Sequence, residues 1–359
     1  MFEPSSAIEN LSRVVADYFP VTGHVDDGGR PAFTVDLPPD SKKRFLALRA
    51  RLDPTGVLPL LRMRDGHPVV AFLPKPPRAQ WRWPVNVLLF VATLGTTFLS
   101  GYVMAVDLVS SKLIPSAVAG GLAFSLSLML ILVVHEMGHK VISILRGIDA
   151  SLPYFIPMVP PVGTMGAVIV TREPAPNRDA LIDLGASGPI AGFLVAVAVV
   201  IVGVRASFVL SPSAMAGQTL VNYPDPLLVQ WITQLFVHPK EGQVLLMHPI
   251  LYAGWIGLLV TSLNLLPSGM LDGGHVVRSL LGARRHFIVS WLAVLAAFAL
   301  RYWLMAALLV VMLTGVRRAH PGPLDDVSPV SPGRYIIGAV LLAIFVVSVV
   351  RLDITPVRF

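Results

Sequence analysis

Residues Leu130–Arg146, LILVVHEMGHKVISILR, place two histidines and a glutamate inside an apolar run. His135 and His139 are four residues apart, so on an α-helix they share a face and can bind one metal ion, with Glu136 beside it. A catalytic zinc site uses three protein ligands, an open position for water, and a carboxylate that takes the proton of that water. Ionisable side chains are costly in an apolar segment of membrane length, which favours a functional site over chance and helix packing. The stretch therefore predicts a zinc site that still needs a third ligand.

The composition is that of a polytopic α-helical membrane protein. Of the 359 residues, 54% are hydrophobic and only 14% are charged, and the mean hydropathy is +0.71. The basic residues behind the net charge of +7 lie mostly in short segments between apolar runs, which indicates membrane topology and argues against a nucleic-acid partner. The chain has no cysteine, so histidine, aspartate and glutamate must do any metal chemistry. Its first ten residues lack the features of a cleavable signal peptide, so we expect none.

Residues 1–80 are predicted to form a small soluble α+β domain with its linker. The patterns indicate helices at Ser6–Tyr18 and Ser41–Leu52 and a strand at Pro31–Leu37. They also indicate a hairpin that turns at Asp65-Gly66 and joins the strands Leu58–Arg64 and Val69–Leu73. Such a size barely supports an independent core, so we expect the domain to lean on the membrane domain or on a partner. The proline-rich linker, Pro74–Pro84, has the basic and aromatic residues of a cytoplasmic membrane boundary.

Residues 85–359 are predicted to form the transmembrane domain, with its core at residues 117–282. Six to seven apolar segments, depending on whether the fifth and sixth are one span or two, approach the length of about 20 residues that spans a bilayer. They are Val85–Val106, Ala117–Leu145, Leu184–Val204, Val244–Leu266, Phe287–Leu300, Tyr302–Val316 and Tyr335–Val350. The fifth and sixth are one run interrupted by Arg301. The distribution of basic residues, including Arg317 and Arg318, favours a hairpin there, hence seven spans, with the N-terminus inside and the C-terminus outside.

The segment Ser151–Asp183, between the second and third spans, is too rich in proline and glycine for a helix that faces lipid. We predict a strand at Gly166–Arg172, close to the cytoplasmic face. Such a strand could pair with an extended peptide, which makes Gly166 and Ala167 candidate substrate contacts. The alternative is a re-entrant loop that only covers the site.

The best candidate for the third ligand follows in SLNLLPSGMLDGGH, residues 262–275. Pro267 should interrupt the fourth span, and the glycines allow a turned backbone that brings the carboxylate of Asp272 to a metal. His275 is the alternative, since imidazole also binds zinc, although a histidine at the end of a span is more often a boundary residue. Asn264 has a polar side chain at membrane depth. It either contacts substrate or an oxyanion, or it ties two helices together.

Four motifs lie in order between about Leu128 and Gly282: HEMGH at 135–139, GTMGA at 163–167, GPIAG at 188–192, and NLLP at 264–267 leading to LDGG at 271–274. Together they resemble the site-2 protease family of intramembrane zinc metalloproteases, most closely its bacterial, archaeal and chloroplast members. The resemblance implies His135, His139 and Asp272 as zinc ligands and Glu136 as the catalytic base. It also implies an active site toward the cytoplasmic side. The family often has an aromatic or small residue at the position of Lys140, and no PDZ or CBS domain is evident.

The predicted function is therefore hydrolysis of peptide bonds within or near transmembrane helices of protein substrates, with Zn²⁺ as the cofactor. We expect an integral protein of a bacterial cytoplasmic membrane, in contact with lipid. One alternative is a membrane metal transporter, which would gain nothing from Glu136. Another is a non-catalytic helix-binding protein, which would have no reason to keep all four metal-site residues.

Overall fold

The computed structural model describes residues 4–26, 30–77, 83–211, 219–238, 240, 242–315, 320–353 and 355–358. Part of the predicted linker, residues 78–82, and the topology residues Arg317 and Arg318 lie outside these ranges.

The N-terminal part contains two helices and a four-stranded sheet. The elements are α1 (Pro4–Ala16), β1 (Val21–Asp26), β2 (Pro31–Val35), α2 (Ser41–Leu52), β3 (Val57–Arg64) and β4 (His67–Pro74). The predicted helix α2 and the hairpin turn at Asp65-Gly66 are present. The strand order is β1-β2-β4-β3, and all neighbours are antiparallel. Strand β1 was not predicted, because it is a mostly exposed edge with no clear apolar alternation.

The core of this sheet is completed by a residue from the far end of the chain. Phe19, Phe33 and Phe45 are fully buried in one apolar cluster, and Leu324 is fully buried in the same cluster. The backbone of Leu61 on β3 donates to Leu324 O at 2.9 Å and accepts from Asp326 at 3.2 Å. The N-terminal part therefore leans on the rest of the chain, as its small size predicted.

The remaining described chain is mostly helical. The helices are α3 (Trp83–Ser110), α4 (Ala117–Leu145), α5 (Arg178–Ala206), α6 (Leu227–Phe236), α7 (Pro249–Asn264), α8 (Asp272–Ala299), α9 (Trp303–Thr314) and α10 (Gly333–Ser348). Four of them in the described part of the chain, α3, α4, α5 and α8, are long and apolar enough to cross a membrane. α8 is kinked at Gly282, whose φ of +80° is not helical, so the predicted fifth span lies in its second half. α4 has the predicted bounds of the second span. The predicted fourth span is shorter than expected, because its first three residues form a strand and Pro249 starts the helix.

Three two-stranded sheets connect these helices. They pair β5 (Tyr154–Pro157) with β6 (Thr164–Val168), β7 (Phe208–Leu210) with β9 (Val244–Leu246), and β8 (Thr219–Asn222) with β10 (Thr355–Arg358). The strand predicted at Gly166–Arg172 is thus displaced toward the N-terminus, and its partner β5 was not predicted. Thr96 on α3 donates to Gly163 O at 2.7 Å, which fixes the connection between β5 and β6 against α3.

Candidate active site

The two histidines of α4 lie together with Asp272, the residue proposed as the third ligand. Their Nε2 atoms are 3.2 Å apart. Asp272 Oδ2 lies 3.4 Å from His135 Nε2, and Asp272 Oδ1 lies 3.4 Å from His139 Nε2. Within the described ranges, these three residues are the one group of metal-ligating side chains whose ligand atoms all lie within 4.8 Å of one another.

Asp272 reaches the histidines because the chain is broken between α7 and α8. α7 ends at Asn264, and Gly269 has a φ of +54°, a left-handed conformation that favours glycine. A methyl group on Gly274 would lie 2.5 Å from two backbone oxygens of this turn. Asp272 is consequently the first residue of α8.

Helix α5 holds His139 in one orientation. The Nδ1–H of His139 donates to the carbonyl oxygen of Leu184, on α5, at 2.8 Å. This leaves the lone pair of His139 Nε2 directed at the cluster. Gly188 allows the close approach, since a methyl group there would lie 2.5 Å from His139 Cδ2 and closer still to Nε2. A methyl group on Gly192 would lie 2.9 Å from His135 Cβ. The GPIAG motif thus packs directly on the two histidines.

Glu136 and Asn264 complete the site. Glu136 is buried and lines the same cavity as the three clustered residues. The amide nitrogen Nδ2 of Asn264 lies 3.3 Å from His135 Nε2, so Asn264 contacts the cluster.

The cluster opens into a cavity of about 570 Å³. Ala167 lines this cavity, as do Val168 and Ile169 that follow it. Gly166 lies at a bulge of the β5–β6 pairing with a φ of +92°, and is not among the lining residues. Of the two predicted substrate contacts, the structure therefore brings Ala167 to the site.

His275, the alternative third ligand, is not among the three clustered residues. Its Nδ1 lies 2.7 Å from Nε2 of His320, which also lines the cavity. His320 was not predicted, because a lone histidine in the polar loop AHPGPLDD carries no spacing signal.

The donor set fits a zinc ion. Two imidazole nitrogens and one carboxylate oxygen are the ligands of known catalytic zinc sites, and they leave a coordination position open. The ring of His139 is held by its hydrogen bond to a backbone carbonyl oxygen, as are the rings of most metal-binding histidines.

Comparison with known proteins agrees with this geometry. The model of Peptidase family M50 matches residues 123–308, more than half of the chain. Relatives include a protein of Arabidopsis thaliana described as "Probable zinc metalloprotease EGY1, chloroplastic". It is 28% identical to this chain over an alignment that covers 57% of this chain and 41% of the relative's length. Another is "Probable zinc metalloprotease EGY2, chloroplastic" of Oryza sativa subsp. indica, 29% identical over 59% of this chain and 39% of its own.

The chain therefore spans about two fifths of the length of these relatives. No solved structure matches it significantly. The matched family region contains the HEMGH helix, the GPIAG helix and Asp272, which are the elements that build the cluster. The chain belongs to Peptidase family M50, the site-2 protease family.

Proposed function

We propose that the chain is an intramembrane zinc metalloprotease that hydrolyses peptide bonds within or near transmembrane helices. The observation that carries this proposal is the convergence of His135, His139 and Asp272 beside the buried carboxylate of Glu136. A metal transporter would need the three ligands but not Glu136. The printed names of the relatives, which describe zinc metalloproteases, support the same assignment.

In this proposal His135, His139 and Asp272 hold the zinc. When bound there, zinc supplies Lewis-acid catalysis, acidifying water and polarising the carbonyl of the peptide bond. Glu136 accepts the proton of the attacking water and then donates it to the leaving amine. Asn264, whose amide lies at the cluster, donates a hydrogen bond to the carbonyl oxygen as it becomes negative. Ala167 and the residues after it contact the extended peptide.

The direct test uses the purified full chain in detergent with a panel of single-span substrates. We expect stoichiometric zinc, cleavage within or near the span, loss of cleavage with a chelator, and recovery when zinc is returned. Metal uptake by vesicles that contain the chain, without cleavage, would instead support the transporter. Substrate binding that a chelator does not affect, again without cleavage, would support a helix-binding protein.

Gly188 provides a test of how the histidines are positioned. We expect Gly188→Ala to displace His139 and to weaken zinc binding by about 10- to 100-fold, the usual cost of disturbing residues that orient metal ligands. The matched control is Gly95→Ala, because Gly95 lies in helix α3 with no atom near enough to meet the new methyl group. Zinc titration by competition with a chelator measures both. Equal affinities in the two variants would contradict the packing argument.

We also propose seven spans, a soluble domain over residues 1–80, and a membrane domain over residues 85–359. The hairpin at Arg301 is supported by the break between α8 and α9, and by the ion pair from Arg301 to Asp353 at 2.7 Å. Strand β8 pairs with the C-terminal strand β10, which supports placing both on the same side of the membrane, in this proposal the outer side.

Reporter fusions test this topology. Fusions after Pro74, Arg178, Arg284 and Arg318 should report the cytoplasm, because short basic segments stay on that side. Fusions near Asn222 and at Phe359 should report the outside. A cytoplasmic signal at Phe359 would contradict the hairpin and favour six spans.

The membrane in which the chain functions is part of the same proposal. We propose a bacterial cytoplasmic membrane with the active site toward the cytoplasm, whereas the relatives are described as chloroplastic. Fractionation of the source cells with an antibody to residues 1–77 tests it, and recovery in a plastid membrane would contradict it.

A further inference from the structure

A chain of hydrogen bonds defines the protonation of two histidines beside the cluster. The backbone N–H of Gly322 donates to Nδ1 of His320 at 2.9 Å. Burial, followed by the neighbouring histidines and Arg278, lowers the pKa of His320 to about 2, so this ring is neutral. A neutral imidazole has one N–H, and an Nδ1 that accepts a hydrogen bond places that proton on Nε2. His320 Nε2–H therefore donates to His275 Nδ1 at 2.7 Å.

The same reasoning applies to His275. Because its Nδ1 accepts from His320, its own proton is on Nε2. Within the part of the chain that the structure describes, this Nε2–H has no hydrogen-bond partner. His275 lines the cavity that also contains Glu136 and Asp272, and it lies three residues after Asp272 on the same face of α8.

The loop that presents His320 is firmly anchored. Arg278, which is 3% exposed, donates to both carboxylate oxygens of Asp326, at 3.0 and 2.6 Å. Arg62 on β3 donates to the carbonyl oxygens of Leu324 and Pro321, at 2.9 and 3.2 Å. The position of His320 is thus set from both the membrane helices and the N-terminal sheet.

A peptide in this cavity presents more than one carbonyl oxygen and therefore requires a hydrogen-bond donor besides Asn264. Its carbonyl oxygens lose water on entry, and a buried carbonyl without a hydrogen-bond donor is strongly unfavourable in an apolar setting. Glu136 and Asp272 are acceptors when ionised and cannot meet this need. An oriented N–H group in a water-poor site also stabilises an oxygen that becomes negative during attack.

We propose that His275 is a neutral N–H donor to a carbonyl oxygen of the peptide substrate, and that His320 is the positioning residue that fixes its tautomer. The proposal rests on the proposed protease function. It gives a role to His275, which the sequence offered as the alternative to Asp272 for the third zinc ligand. That role does not require contact with zinc.

Isosteric variants separate this role from a structural one. Glutamine places an amide N–H near the position of Nε2, whereas asparagine reaches only the position of Nδ1. We expect His275→Asn to keep zinc and to lower kcat by about 100-fold, the effect of losing one such donor, with a smaller change in KM. His275→Gln should stay within about tenfold of wild type. His320→Ala should lower kcat, and His320→Gln, which can still donate to His275, should restore most of it.

Equal losses in His275→Asn and His275→Gln would overturn the proposal, as would unchanged kcat or loss of zinc in His275→Asn. Nitrogen-15 NMR of histidine-labelled protein gives a readout that is independent of turnover. The Nε2–H tautomer at both His275 and His320 supports the proposal, and Nδ1–H at His275 overturns it. A wild-type chain that binds zinc but cleaves none of the substrates would contradict the proposed function instead.

Discussion

Glu136→Gln is expected to lower cleavage by at least about 100-fold, the usual effect of losing a general base, while zinc content stays near that of the wild type. Glutamine keeps the size and much of the polarity of this buried side chain but cannot accept a proton from water. The measurement is kcat on a single-span substrate together with metal analysis of the same preparation. Glu136 is not a member of the three-residue cluster, so its loss should not release the metal.

Glu136→Asp is the matched control for that experiment. It keeps the carboxylate but shortens the side chain, so part of the activity should remain, since a general base acts only within hydrogen-bond reach. If the glutamine variant retained wild-type turnover, Glu136 would have no part in the reaction and a metal transporter would again be a serious alternative.

Asp272→Ala is expected to abolish stoichiometric zinc binding, and cleavage with it. Both carboxylate oxygens of Asp272 face the histidine cluster at 3.4 Å, and alanine offers no ligand atom. His275→Ala is the matched comparison from the same turn of α8, and it should keep zinc because His275 faces His320. Metal analysis of the two variants decides the assignment. Zinc lost from His275→Ala and kept by Asp272→Ala would reverse it.

The parts of the fold that could be predicted from the sequence depend on local signals. α2 and α4 have the predicted bounds, because a periodic or continuous apolar pattern runs their whole length. The break that carries Asp272 was also predictable, since proline and glycines interrupt the apolar run at that point.

The parts that could not be predicted depend on contacts between distant residues. Leu324 enters a core built by the first 75 residues, and His320 meets a histidine 45 residues earlier in the chain. A local stretch of sequence carries no signal for such contacts between distant residues. Likewise, Leu184 orients His139 through a backbone carbonyl, a group that every residue carries. The three residues of the cluster could thus be chosen from side-chain chemistry, whereas the residues that orient them could not.

X-ray absorption at the zinc edge of the purified chain tests the central claim most directly. We expect one zinc ion with two histidine nitrogens and a carboxylate oxygen at about 2.0–2.2 Å, together with a further oxygen ligand. The signal of bound zinc should be absent from Asp272→Ala prepared in the same way. Three histidine nitrogens around the metal, or a wild-type chain that binds no zinc, would contradict the claim that His135, His139 and Asp272 form a catalytic zinc site.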